Sequence, residues 1–171
     1  AREVHHPGYR AVVEDLLFTG ETAEAFRLAP CTRAGHHAYI GGLSEHTVAV
    51  GTLVTETCVL HPKLNSDLLM AAALIHDIGK TGEFTYGAEI GLSERGRNLG
   101  HLQIGAELVG EAADRAGLDQ AERDALLSTV MCHHGTDPLR LRQFPSAEAI
   151  ALYRLNALDA QVKTALEHGL T

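Results

Sequence analysis

The chain has 171 residues, 45% of them hydrophobic, which suits one compact domain with a substantial core and leaves little length for a second. A formal charge of −8 and a pI near 5.7 exclude a broad basic face for nucleic acid, so any anionic ligand must be met by a local site. Cys31, Cys58 and Cys132 are odd in number and widely spaced, which fits reduced, buried thiols rather than a disulfide framework.

No apolar run approaches membrane-spanning length, and the N-terminus lacks the charged-then-apolar order of a signal peptide, so the expectation is a cytoplasmic protein without a membrane partner. The chain starts without Met, and the trimmed-looking lead gives His5 and His6 no role beyond solvent exposure. Val12, Val13, Leu16 and Leu17 then make a short helical stripe that stops at Gly20, and Glu21–Leu28 form a second helix before Pro30. Paired Gly41 and Gly42 precede a long helical pattern from Leu43 to about Leu60. His46 falls on its buried stripe, with Leu43, Val50, Leu53 and Val54.

The central stretch, Leu68–Lys80, reads LLMAAALIHDIGK. It has no polar face of useful width and is therefore expected to be a buried helix, capped by Asn65 or Ser66 and ended by Gly79. At its end stand His76 and Asp77, and buried polar groups of that kind cost about 2–7 kcal/mol each when unpartnered. A divalent metal removes the cost and uses both as ligands.

Gly82–Gly96 reads as a small hairpin or an irregular loop that covers the site. Leu99–Ala116 is helical again and turns His101 inward. Asp119 and Glu122 form a capping box for a helix that runs through Leu126, Val130 and Met131 into Cys132–His133–His134–Gly135. A loop with Arg140 and Arg142 follows. Ser146 caps the last helix, in which Ile150, Leu152, Leu155, Leu158 and Val162 are apolar, while Asn156 and Asp159 lie three apart. The architecture is an all-α bundle.

The inward polar residues are thus His46, His76, Asp77, His101, His133 and, in the last helix, Asp159 or Asn156. The chain has eleven histidines, and any one of these inward ones taken alone reads as a hydrogen-bonded core residue. The series is enough for two divalent ions, with the carboxylate of Asp77 free to bridge them, whereas a closed structural zinc needs only four ligands.

In the order His46, His76–Asp77, His101, His133–His134 and Asp159, the chain resembles the HD superfamily of metal-dependent phosphohydrolases. FRLAPCTRAGHHAYIGGLSEHT, LIHDIGK, LGHLQIGAEL, CHHG and LDAQV, spread from Phe26 to Val162, resemble the HD domain of YhaM-type 3′→5′ exoribonucleases. The resemblance implies one HD domain over residues 1–171, its core about residues 26–165, with a helical fold, a mono- or dinuclear site for Mn, Fe, Co, Ni, Mg or Zn, and phosphoester hydrolysis. Three features depart from it. These residues are expected to include no oligonucleotide-binding barrel of the kind those enzymes carry, TDPLRLRQFPS replaces an acidic segment containing Trp and Gly, and Asn156 stands where the family has the first of two aspartates.

The resemblance implies a metal-activated water, with Asp77 at the reacting centre and Lys80 on a nonbridging phosphoryl oxygen. His134 is a further ligand or the acid for the leaving group, and Arg33, His37 and Arg97 are candidate phosphate contacts. The acidity and the missing barrel favour a small phosphorylated substrate, a nucleotide or short oligonucleotide, over extended nucleic acid. The oligomeric state stays open. Two other readings share the ligands: a diiron oxygenase similar to myo-inositol oxygenase, and a catalytically impaired nucleotide-binding HD domain.

Overall fold

A computed structural model describes residues 2–87 and 89–169. The chain is an all-α bundle with one small hairpin, as the sequence pattern predicts. Helices α1 (Pro7–Phe18) and α2 (Gly20–Leu28) form a cap over the bundle. Tyr9, Val12, Val13, Leu16 and Leu17 of α1 are its buried stripe. His6, expected to be idle, caps α1 by accepting from the Tyr9 amide at 3.3 Å, and its Nε2 meets Glu122 at 3.1 Å.

Helix α3 (Gly42–Leu60) and helix α4 (Ser66–Ile75) pack side by side at the centre of the core. Asn65 caps α4, accepting from the Leu68 amide at 3.0 Å. The regular helix ends at Ile75, and His76–Gly79 form a turn before α5 (Lys80–Glu83). The helix expected to end at Gly79 therefore stops at Ile75, and a short second helix begins at Lys80. Gly79 serves close packing rather than a left-handed helix end: its φ is −62°, and a Cβ there would lie 2.0 Å from the His101 carbonyl oxygen.

Strands β1 (Phe84–Tyr86) and β2 (Ile90–Leu92) pair antiparallel, with Thr85 opposite Gly91. Tyr86 ties the hairpin to α2 by donating to the Ala25 carbonyl at 3.3 Å. Helix α6 (Glu94–Ala116) is broken at Gly100, whose φ of 70° and ψ of 165° suit only glycine. The break sets His101 at the start of a fresh helical segment, where its amide donates to Glu83 Oε1 at 3.1 Å.

Helix α7 (Gln120–Met131) starts with the expected capping box, Asp119 and Glu122 each holding the other's backbone amide. It tightens at its end into a 3-10 turn, Cys132–His134. Helix α8 (Ala147–His168), capped by Ser146, buries Ala149, Leu152 and Asn156. Ile150, Leu158 and Val162 are instead exposed, so the buried stripe of α8 is narrower than its apolar pattern. Among the described residues no helix is long and apolar enough to cross a membrane.

Candidate metal centre

Four histidines from four places in the fold are fastened in the same way. His46 Nδ1 lies 2.6 Å from Asp159 Oδ2, His76 Nδ1 is 2.8 Å from the Ala73 carbonyl, His101 Nδ1 is 3.2 Å from Glu83 Oε1, and His133 Nδ1 is 2.6 Å from the Val130 carbonyl. An acceptor behind Nδ1 fixes the proton there and leaves Nε2 with a bare lone pair. All four Nε2 atoms converge on Asp77. Such outer partners are how metal-ligating histidines are oriented.

Asp77 sits between two groups of donors. Its Oδ2 lies 3.2 Å from His76 Nε2 and 3.6 Å from His46 Nε2, and its Oδ1 lies 3.3 Å from His133 Nε2 and 3.8 Å from His101 Nε2. On the first side, His46 Nε2 also meets His76 Nε2 at 3.2 Å and Asn156 Oδ1 at 2.9 Å. The amide of Asn156 is oriented by its Nδ2, which donates to the His133 carbonyl at 3.1 Å. Four acceptors, His46 Nε2, His76 Nε2, Asn156 Oδ1 and Asp77 Oδ2, therefore face one another with no proton between them. On the second side, Asp77, His101, His133 and His134 bring one donor atom each within 4.8 Å of the others, with His134 Nε2 2.9 Å from His101 Nε2.

These residues fit a divalent metal. Asp77 Oδ1 and His133 Nε2 are buried without a hydrogen-bond partner among the described residues, although only 3.3 Å apart. Each such orphan costs about 1–3 kcal/mol. A tetrahedral ion about 2.1 Å from two nitrogens separates them by about 3.4 Å, close to the spacing of the facing donors. Nitrogen and oxygen donors without a thiolate suit Mn, Fe, Co, Ni or Zn.

The electrostatics are those of a site built around a buried charge. Burial favours the neutral form of Asp77, but the adjacent Lys80 ammonium outweighs it and holds the carboxyl well below the usual range. Lys80 Nζ donates to Asp77 Oδ2 at 2.7 Å. Burial opposes the lysine charge too, yet the carboxylate beside it holds Lys80 above the ordinary lysine value. Burial lowers His133 to about 4 despite Asp77. His134 falls to about 3, through burial and then the neighbouring His133.

The remaining sequence-predicted residues lie elsewhere. Asp159 stands behind His46, at Nδ1, and not at the convergent nitrogen. His37, expected to touch phosphate, is buried with Nδ1 2.9 Å from the Tyr39 hydroxyl and Nε2 3.4 Å from Asp159 Oδ2. Arg97 is exposed and donates to the Leu92 carbonyl at 2.6 Å, and Arg33 is exposed on the loop after α2. Sequence reasoning missed Glu83, Cys31 and His36. Cys31 Sγ lies 3.4 Å from Lys80 Nζ, and burial pushes this thiol up to about 12.

The fold and the donor set together define a class, and the HD domain family model matches residues 43–161. The chain belongs to the HD domain family. It is similar to the curated protein "3'-5' exoribonuclease YhaM" of Shouchella clausii (strain KSM-K16), with 28% identity over 161 residues, 94% of this chain and 50% of that protein. The proteins of the same name from Halalkalibacterium halodurans and Bacillus pumilus are each 29% identical, over 94% and 97% of this chain and 50% and 54% of theirs. The chain thus spans about half the length of the curated relatives it matches. No solved structure matches it significantly.

Proposed function

We propose that this chain is a metal-dependent phosphohydrolase that cleaves a phosphoester of a nucleotide or the end of a short oligonucleotide. The observation that carries the reading is the shared fastening of His46, His76, His101 and His133 through Nδ1, which aims four bare nitrogens at the two oxygens of Asp77. The family and the exoribonuclease relatives support the reaction class. The net charge of −8 argues for a local grip on one or a few phosphates rather than a long nucleic-acid track.

His46, His76, Asn156 and Asp77 would hold one ion, and Asp77, His101, His133 and His134 the other. Such a pair supplies Lewis acidity to a phosphoryl oxygen and lowers the pKa of water enough for attack near neutral pH. Asp77 bridges the two groups and sets their separation. Lys80, fixed by its bond to Asp77, has N–H groups left to offer a nonbridging phosphoryl oxygen. His134, whose Nε2 lies 2.9 Å from His101 Nε2 within the second donor group, would serve as a ligand rather than as the acid for the leaving group. Buried His37 and outlying Arg33 and Arg97 have no part in this reading.

The test is a phosphate-release and oligonucleotide-shortening assay on chelated protein reloaded with Mn²⁺, Co²⁺, Ni²⁺ or Fe²⁺. Metal-dependent cleavage of a dinucleotide or short oligoribonucleotide, lost in Asp77→Ala, is expected. Protein that binds two irons, consumes O₂ and leaves every phosphoester intact is an oxygenase and overturns the proposal. Protein that binds metal and nucleotide without turnover is a binding domain and overturns it equally.

A further inference from the structure

Next to the two groups that share Asp77 lies a third set of donors, of which the phosphohydrolase reading uses only His46. Cys31 is fully buried, at the start of the loop between α2 and α3. Its Sγ lies 3.6 Å from His36 Nε2. Cys31 Sγ, a ring nitrogen of His36 and a ring nitrogen of His46 all lie within 4.8 Å of one another.

The loop is fastened so that these side chains stay together. The Cys31 amide donates to the His37 carbonyl at 3.1 Å, closing the segment on itself. Inside it, Thr32 Oγ1 donates to the His36 carbonyl at 2.8 Å and accepts from the Gly35 amide at 2.9 Å. His36 is half-buried, which leaves an entry path from solvent.

The distances and donor types name an ion class. A tetrahedral zinc-class ion, about 2.3 Å from sulfur and 2.0–2.1 Å from nitrogen, holds those two atoms about 3.5 Å apart. The Cys31–His36 spacing of 3.6 Å matches that edge. A thiol–imidazole hydrogen bond accounts for this one distance but not for the approach of His46 as a third donor. One thiolate and two imidazoles prefer thiophilic cations to Mg²⁺ or Mn²⁺.

We propose that Cys31, His36 and His46 form a third site, overlapping the first group at His46, for a thiophilic divalent cation such as Zn²⁺. His46 Nδ1 is engaged by Asp159, so only Nε2 is free to ligate, and that atom also belongs to the His46–His76–Asp77 group. One lone pair serves one ion. Filling the thiol site therefore withdraws His46 from the first group, and a zinc-class ion competes with full loading of the pair. As the metal–sulfur bond forms, the thiol proton passes to solvent. Lys80 leaves the sulfur but keeps its bond to Asp77.

The experiment is a titration of the chelated full chain with Co²⁺, followed in the visible and the near ultraviolet, with proton release measured in weak buffer. Wild type should show the intense sulfur-to-cobalt charge-transfer band and release a proton with it. Cys31→Ser should lose the band while keeping visible cobalt absorption, and Cys58→Ser and Cys132→Ser should keep both. His36→Gln, at a half-buried position that tolerates change, should weaken the cobalt that gives the band by tenfold or more. Wild-type protein that binds Co²⁺ without the band, a band that survives Cys31→Ser, or a band indifferent to His36→Gln overturns the site. Should Cys31→Ser not fold, Cys31→Ala and His36→Gln test the same ligation. The outcome is separable from the phosphoester assay, because the band reports sulfur ligation whether or not the protein hydrolyses anything.

Discussion

Asp159 Oδ2 lies 2.6 Å from Nδ1 of His46, on the opposite edge of the ring from the nitrogen that faces His76 and Asp77. In the proposed centre this carboxylate would fix the tautomer and the plane of the imidazole, acting as an outer partner rather than a ligand. Loss of such a partner costs about 10–100-fold in metal affinity. Asp159→Asn should therefore weaken one class of bound Mn²⁺ by about that factor, while His46→Ala removes the class. Competition titration against a chromophoric chelator distinguishes them. If Asp159→Asn abolishes binding as fully as His46→Ala, Asp159 ligates directly.

Asn156 gives a prediction whose sign depends on metal. Its Oδ1 faces His46 Nε2 at 2.9 Å while its Nδ2 donates to the His133 carbonyl at 3.1 Å. Asn156→Asp adds the negative charge a divalent ion favours but sets a carboxylate against a carbonyl and removes that hydrogen bond. Without metal the variant should lose about 1–3 kcal/mol, the cost of an unsatisfied buried group. With Mn²⁺ or Fe²⁺ it should bind at least as tightly as wild type and recover its melting temperature. A variant equally stable in both conditions would place Asn156 outside the ligand set.

Acid should act on the metal-free protein in two separate windows. His133 is lowered from 6.5 to about 4, chiefly by burial, so the unfolded chain binds its proton at a higher pH than the folded one. Stability from this group is complete above pH 6.5 and falls as pH drops towards 4, by about 3 kcal/mol in all. His36, also lowered to about 4 by burial, adds to the same window. Asp77 and Asp159 are held below the usual carboxylate value and lose their contribution only at lower pH. Melting temperatures of chelated protein should be flat above pH 6.5 and fall between 6.5 and 4, with a shallower fall in His133→Gln. A flat profile across that window contradicts the assignment of a neutral buried His133.

The bundle and the convergence of His46, His76, Asp77, His101 and His133 were legible because each stands on, or just past the end of, an apolar helical stripe, and periodicity reports inwardness. Periodicity does not report which ring nitrogen faces the centre, and that is what separates Asp159 from Asn156. Nor does it register a turn inside an apolar run, so the end of α4 at Ile75 was invisible, as was the close contact that demands glycine at 79. Cys31 and His36 lie on a loop without a period, where composition alone made the thiol look inert. Glu83 reaches His101 only because α6 breaks at Gly100, a long-range consequence of one backbone angle.

Lys80 tests the reaction class and the energetics of the site together. The residue is 6% exposed and its ammonium sits 2.7 Å from Asp77 Oδ2, so Lys80→Met leaves a buried carboxylate beside an apolar side chain of similar length. Breaking such a pair from one side costs about 3–5 kcal/mol. The metal-free variant should melt far below wild type, and bound divalent metal should restore most of the difference by giving Asp77 another cationic partner. Turnover should not return with stability. A cation aimed at charge that develops on the phosphoryl oxygens is worth about 100–1,000-fold in kcat. Loss of that interaction lowers kcat more than it raises KM. Thermal melts with and without Mn²⁺, followed by steady-state kinetics on the reloaded variant, separate the two effects. A stable, metal-loaded Lys80→Met protein with wild-type kcat would show that Lys80 only neutralises Asp77 and never meets the substrate.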